Sequence, residues 1–163
     1  MQASLSFTDK LEHFLQRLFD KSTDASEDYA QRMDTLKLAH SFAGAQMIVI
    51  KRFLSSLEHQ NIQWVEEAIC MYLVGAVDLI GKHQRCSIKE RMQLIRRTLK
   101  SNVGVSPEKA IFYFNEALHR QAGSDADTMI RVGAKAAKQW LDSGSVHPEL
   151  CLREQLDHCG VLI

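Results

Sequence analysis

The sequence predicts an all-α protein, a single-domain bundle of six to seven helices packed around one buried helix at about residues 64–80. Three observations lead there. The stretch WVEEAICMYLVGAVDLI, residues 64–80, is too long for a strand and confines its charges to Glu66, Glu67 and Asp78. Residues 68–77 are therefore apolar all round, which a helix tolerates only when enclosed on every side. Elsewhere apolar residues recur at spacings of three and four with no period-two alternation. Both prolines, Pro107 and Pro148, fall at predicted helix starts, and no repeat or linker splits the chain.

The first helix is predicted from an N-cap at about Thr8 to Asp20, with Phe7, Leu11, Phe14, Leu15 and Leu18 on one stripe. The polar tract KSTDAS, residues 21–26, reads as a connector. A long second helix over about 27–58 carries a heptad-like seam of Tyr29, Met33, Leu36, His40, Ala43, Met47, Ile50, Leu54 and Leu57. A second strip, Leu38, Phe42, Ala45, Val49 and Phe53, implies neighbours on both sides. The small residues Ala39, Ala43, Gly44 and Ala45 admit a close neighbour, unless Gly44 marks a kink. A turn at 59–61 leads into the central helix, for which Gly81 is the expected C-cap.

Ser87 and Glu90 have the form of a capping box. The helix they open turns Ile88, Met92, Ile95 and Leu99 inward and presents Lys89, Gln93, Arg96 and Lys100 on another face. Ser106 followed by Pro107 opens the next helix, expected to bury Ala110, Ile111, Phe114, Ala117 and Leu118. Ser124 and Asp125 start another, where Ala126, Met129, Ile130, Gly133, Ala137, Trp140 and Leu141 share a face suited to a tight crossing, and Gly144 ends it. A last helix after Pro148 carries Leu152, Leu156 and Cys159. The apolar tail Val161-Leu162-Ile163 then needs a groove, its own or that of another copy in a homo-oligomer.

Twenty basic and twenty acidic residues give a formal net charge of zero, which argues against a general polyanion binder. The distribution is uneven. Lys82, Arg85, Lys89, Arg91, Arg96, Arg97 and Lys100 face a single acid, Glu90, over the same interval, while Asp9, Glu12, Asp20, Asp24, Glu27, Asp28 and Asp34 cluster early. The N-terminus has no signal-peptide pattern, and residues 64–80 carry too many charges for a membrane span, so a cytoplasmic setting is expected. Cys70, Cys86, Cys151 and Cys159 form no Cys-x-x-Cys pair and are expected as free thiols, Cys70 in the core.

One order of signals carries a family likeness: an apolar helix bearing Asp78, a loop with Gly81, Ser87 and Glu90 opening a helix, then Gly104-Val105-Ser106-Pro107-Glu108 opening another. Over about a third of the chain this resembles the tellurite-resistance TerB-like helical family, small cytoplasmic proteins linked to stress response. The resemblance implies a helical fold and a stress-related or regulatory role. That family's loop places Gly directly after Asp among further acids that meet a cation. Here Leu79-Ile80 follows Asp78 and the loop is basic, so its metal binding is not expected to carry over.

His40 with Gly44 four residues on resembles histidine phosphotransfer domains, which would make His40 a phosphoacceptor. That family has Lys before the Gly where this chain has Ala43, and His40 lies on the apolar seam. Glu116 and His119 have the Glu-x-x-His spacing of di-iron bundles without a second pair, and His83 with Cys86 is a still weaker metal candidate. No Gly-x-Ser-x-Gly, phosphate loop or cysteine-nucleophile motif is present, so neither an enzyme nor a cofactor is expected.

Two functions from different classes follow. The first is a protein acting through macromolecular interaction on a basic surface of Arg85, Lys89, Arg96, Arg97 and Lys100. Its expected partner is a protein, with nucleic acid on the basic stripe the less favoured alternative, because no exposed aromatics that would favour single strands are interleaved with the cations. The second is a small-molecule or metal sensor with a pocket inside the bundle near His40 and Asp78, polar groups on otherwise apolar helices that need partners if buried.

Overall fold

The structure, a computed structural model, describes residues 7–54 and 62–160. It contains α1 (Phe7–Leu54), α2 (Ile62–His83), α3 (Ile88–Asn102), α4 (Pro107–His119), α5 (Asp125–Ser143), a 3-10 turn (Pro148–Leu150) and α6 (Leu152–His158). No strand occurs among the described residues. The chain divides into two units, Met1–Asp34 and Thr35–Ile163. The first is helical from Phe7 onward, and its Tyr29 is exposed. The second contains every described core residue, from Ala39 to Leu156.

At the centre of the second unit stands α2. From Ala68 to Val77 every residue is buried, as an all-round apolar sequence requires. Ala39, Phe42, Ala43, Met47 and Ile50 of α1 join the same core. Phe42 stacks on Tyr72 at 6.4 Å between ring centroids and meets Trp140 edge-on at 5.7 Å. Among the later helices α5 makes the most extensive contact with α2. This crossing is antiparallel and nearly backbone to backbone: a Cβ on Gly75 would lie 2.1 Å from the Ile130 carbonyl oxygen, and one on Gly133 would lie 2.0 Å from that of Tyr72. Two glycines, one per helix, make the approach possible. The C-terminal segment is tied to the same centre, since the buried Tyr72 hydroxyl donates to the Leu150 carbonyl at 2.7 Å and Gln46 Oε1 accepts from the Leu152 N–H at 2.9 Å.

Ser87, Ser106 and Ser124 are the N-caps of α3, α4 and α5, and Gly144, with φ of 75°, caps the end of α5. Several expectations need correction. Residues 21–26 lie inside α1 rather than forming a connector, and Thr8 lies within the helix rather than capping it. KSTDAS contains neither Gly nor Pro, and its Ser, Thr and Asp each disfavour helix by only about 0.5 kcal/mol. Nor does Gly44 break α1; a Cβ there would meet only Asn102 Oδ1 at 3.6 Å. The second apolar strip is not flanked on both sides, because Ala45 and Val49 are exposed together with Ile48.

Gly81 is not the cap of α2 but a buried position within it, whose missing side chain admits the stem of Arg91; a Cβ would lie 2.7 Å from Arg91 Cγ. In α3, Ile88 is 55% exposed in the first turn, and Leu94 and Thr98 are buried beside Ile95 and Leu99. Leu118 of α4 is exposed and Tyr113 takes a core place, while Cys159 at the end of α6 is exposed. Leu57, the turn at 59–61 and the tail Val161-Leu162-Ile163 lie outside the described residues, as do the side chains of the N-terminal stripe and of Phe53.

Candidate functional site

The link between α2 and α3 begins the basic surface. The Cys86 N–H donates to the Gly81 carbonyl at 2.9 Å and the Arg85 N–H to that of Lys82 at 3.0 Å, the paired bonds of a Schellman ending. That ending places Arg85 in the left-handed region, φ 59°, where glycine is usual and an L side chain costs about 1 kcal/mol. Immediately afterwards the Ser87 hydroxyl accepts from the Glu90 N–H while Glu90 Oε2 accepts from the Ser87 N–H at 2.7 Å, fixing the start of α3.

From that start Lys89, Arg97 and Lys100 are exposed and Arg96 half-buried. Among the described residues none of these four, nor Arg85, forms an ion pair. Several cations elsewhere in the bundle are neutralised: Lys109 by Glu66, Arg120 and Arg131 by Asp127, and Lys138 by Asp142. The inner side of α3 is different again. Arg91 lies over Gly81 and reaches Asp78 at 3.2 Å, and Lys82 reaches the other Asp78 oxygen at 2.7 Å. The Arg91 contact is an ion pair without hydrogen-bond alignment, and Arg91 Nε is buried without a partner. Asp78 thus works as a charge link from α2 to α3.

On another side of the bundle a cleft of about 530 Å³ is lined by residues from α2, α5 and the end of α6: Trp64, Glu67, Met129, Asp125, His158 and Cys159 are among them. A smaller groove of about 160 Å³ runs between α2, α4 and α5, with Asp78, Lys82, Arg120 and Arg131 on its walls. Sequence reading missed the larger cleft because its walls meet only when the helices fold together. The one local signal was Trp64, a large aromatic at the edge of the central helix rather than in its apolar middle.

No family model, curated protein or solved structure matches the chain. Among the described residues no helix is long and apolar enough to cross a membrane.

His40 and Asp78 do not share the smaller groove: Asp78 lines it and His40 does not. His40 is half-buried, its Nε2 is sealed from solvent without a hydrogen-bond partner, and burial lowers its pKa from the ordinary value of 6.5. At neutral pH it is a neutral imidazole, and the sealed Nε2 leaves a phosphoacceptor role without support. Glu116 and His119 are both exposed on α4, and His119 Nδ1 donates to the Asn115 carbonyl at 2.9 Å in its hydrogen-bearing tautomer. His83 and Cys86 gather no further ligands either, since among the described residues no three His, Cys, Asp or Glu side chains converge as a metal would require.

Of the four cysteines, Cys70 is the most buried, and burial pushes its thiol up to about 12, with the nearby Glu66 carboxylate adding to the shift. Cys70 is therefore a packing residue and not a nucleophile.

Proposed function

We propose that the protein is a non-enzymatic helical binder that docks an acidic protein on the outward face of α3. One observation carries the reading. Arg85, Lys89, Arg96, Arg97 and Lys100 occupy one helix and its leading turn without an ion pair among the described residues, whereas Lys82 of α2, Lys109 of α4, and Arg131 and Lys138 of α5 are each matched to a carboxylate. Exposed cations on a rigid helix raise the association rate of an acidic surface and set its orientation. The exposed Ile88, in the first turn of the same helix, adds an apolar anchor that a peptide or protein can cover and a duplex phosphate backbone does not require. The resemblance of the Asp78–Glu108 signals to TerB-like proteins supports placing that partner in a cytoplasmic stress-response or regulatory pathway.

Capture of partners from the source cells by wild type and by Arg96→Glu/Lys100→Glu tests the proposal. The expected result is a partner rich in Asp and Glu, bound at low salt, weakened by added salt and lost in the double variant. Equal capture by both forms with no dependence on salt would overturn it. Competition by duplex DNA in the same format would reassign the face to nucleic acid.

A further inference from the structure

The cleft at the junction of α2, α5 and α6 takes no part in the α3 reading and has its own chemistry. Its volume of about 530 Å³ lies in the range of small-molecule sites. Ala68 and Met129 are buried in its floor beside the half-buried Ala126, and Trp64 stands at its edge 45% exposed. Two carboxylates on its walls, Glu67 of α2 and Asp125 of α5, are exposed and form no ion pair among the described residues. Their near neighbours behave otherwise: Glu66 pairs with Lys109, and Asp127 pairs with Arg120 and Arg131.

Among the described residues no Lys or Arg lines the cleft and His158 is the only basic side chain on its wall, with Nδ1 2.7 Å from the Glu154 carbonyl. A first-turn acid such as Asp125 is favoured by the α5 helix dipole, which accounts for that residue by itself. The dipole of α5 does not account for Glu67, nor for an exposed indole one turn before it on the same face of α2.

We propose that this cleft binds a small amphipathic organic amine in its ammonium form. The ammonium N–H groups donate to the Glu67 and Asp125 carboxylates, and the face of the Trp64 indole attracts the same positive charge. The hydrocarbon part lies against Ala68, Ala126 and Met129, whose thioether adapts to different shapes. The absence of three converging metal-ligand side chains among the described residues points away from a bare metal ion and toward a cation with a carbon body.

The test uses 2-phenylethylamine as probe and 2-phenylethanol as its uncharged match, each titrated into the full chain by calorimetry. Trp64 and Trp140 are the two tryptophans, so Trp140→Phe leaves Trp64 as the sole indole and gives a fluorescence reading of the same titration. Saturable binding of the amine is expected, at least tenfold tighter than the alcohol, with a change in Trp64 emission. Glu67→Gln/Asp125→Asn should weaken the amine about tenfold or more while leaving the alcohol unchanged. Arg96→Glu/Lys100→Glu should bind it normally, which separates failure here from failure of the α3 reading. Equal affinity for amine and alcohol, an unchanged affinity in the Glu67/Asp125 variant, or no saturable binding by about 10 mM amine would each overturn the proposal.

Discussion

Gly75 and Gly133 show how far a single hydrogen in place of a methyl group decides the packing. A methyl at either position would sit about 2 Å from a carbonyl oxygen of the opposing helix, and backbone cannot swing aside as a flexible side chain does. Gly75→Ala and Gly133→Ala are each expected to destabilise the protein by about 1–3 kcal/mol or more, read from the urea midpoint. Gly44→Ala is the internal control. It adds a methyl to a helical position in ordinary contact with Asn102, and should raise stability by up to about 1 kcal/mol. Equal effects at the three positions would mean that the α2–α5 approach is looser than described.

Asp127 poses the corresponding question for charge. The Gly123 N–H, 3.0 Å away, and the Arg120 guanidinium, at 2.6 Å, hold its carboxylate down from 3.8 to about 2, with Arg131 contributing from the next turn. A depressed folded-state pKa stabilises the protein fully above the unfolded value, and that contribution disappears as pH falls through the folded value. Between about pH 4 and pH 2 the wild type should therefore lose stability faster than Asp127→Asn, as thermal melts across that window would show. Parallel pH profiles for the two proteins would remove this role.

At the scale of elements, the parts of the sequence that could be read were those with local causes. The serine caps of α3, α4 and α5 and the terminal Gly144 are set by neighbours within a few residues, and the central helix by an apolar run that no surface helix carries. What escaped reading depends on remote partners. Gly81 looked like a helix end because glycine is common there, yet its cause is the stem of Arg91 crossing from α3. The true left-handed position fell to Arg85, a residue whose chemistry gives no hint of it. KSTDAS looked like a connector by composition, but polar residues alone do not stop a helix that has no breaker. Candidate site residues divide the same way: the cations of α3 were visible as a periodic stripe, whereas Asp125 joins Trp64 and Glu67 only through the fold.

For the whole molecule, the division at Thr35 sets an expectation about autonomy. All described core residues belong to Thr35–Ile163, including the α1 segment that supplies Phe42, Met47 and Ile50. A fragment of residues 35–163 should fold with a single cooperative transition and keep the wild-type near-ultraviolet signal of Trp140 packed on Phe42. A fragment that melts without cooperativity would show that residues 1–34 contribute to the core.

The α2–α5 crossing also offers a way to recognise distant kin. Any chain folded in this manner must keep a minimal residue at both points where carbonyls face the opposing helix, however far the rest of its sequence has drifted. Paired glycines, one within the apolar middle of a helix and one within an alanine-rich helix three helices later, make a fingerprint that survives where overall similarity has faded.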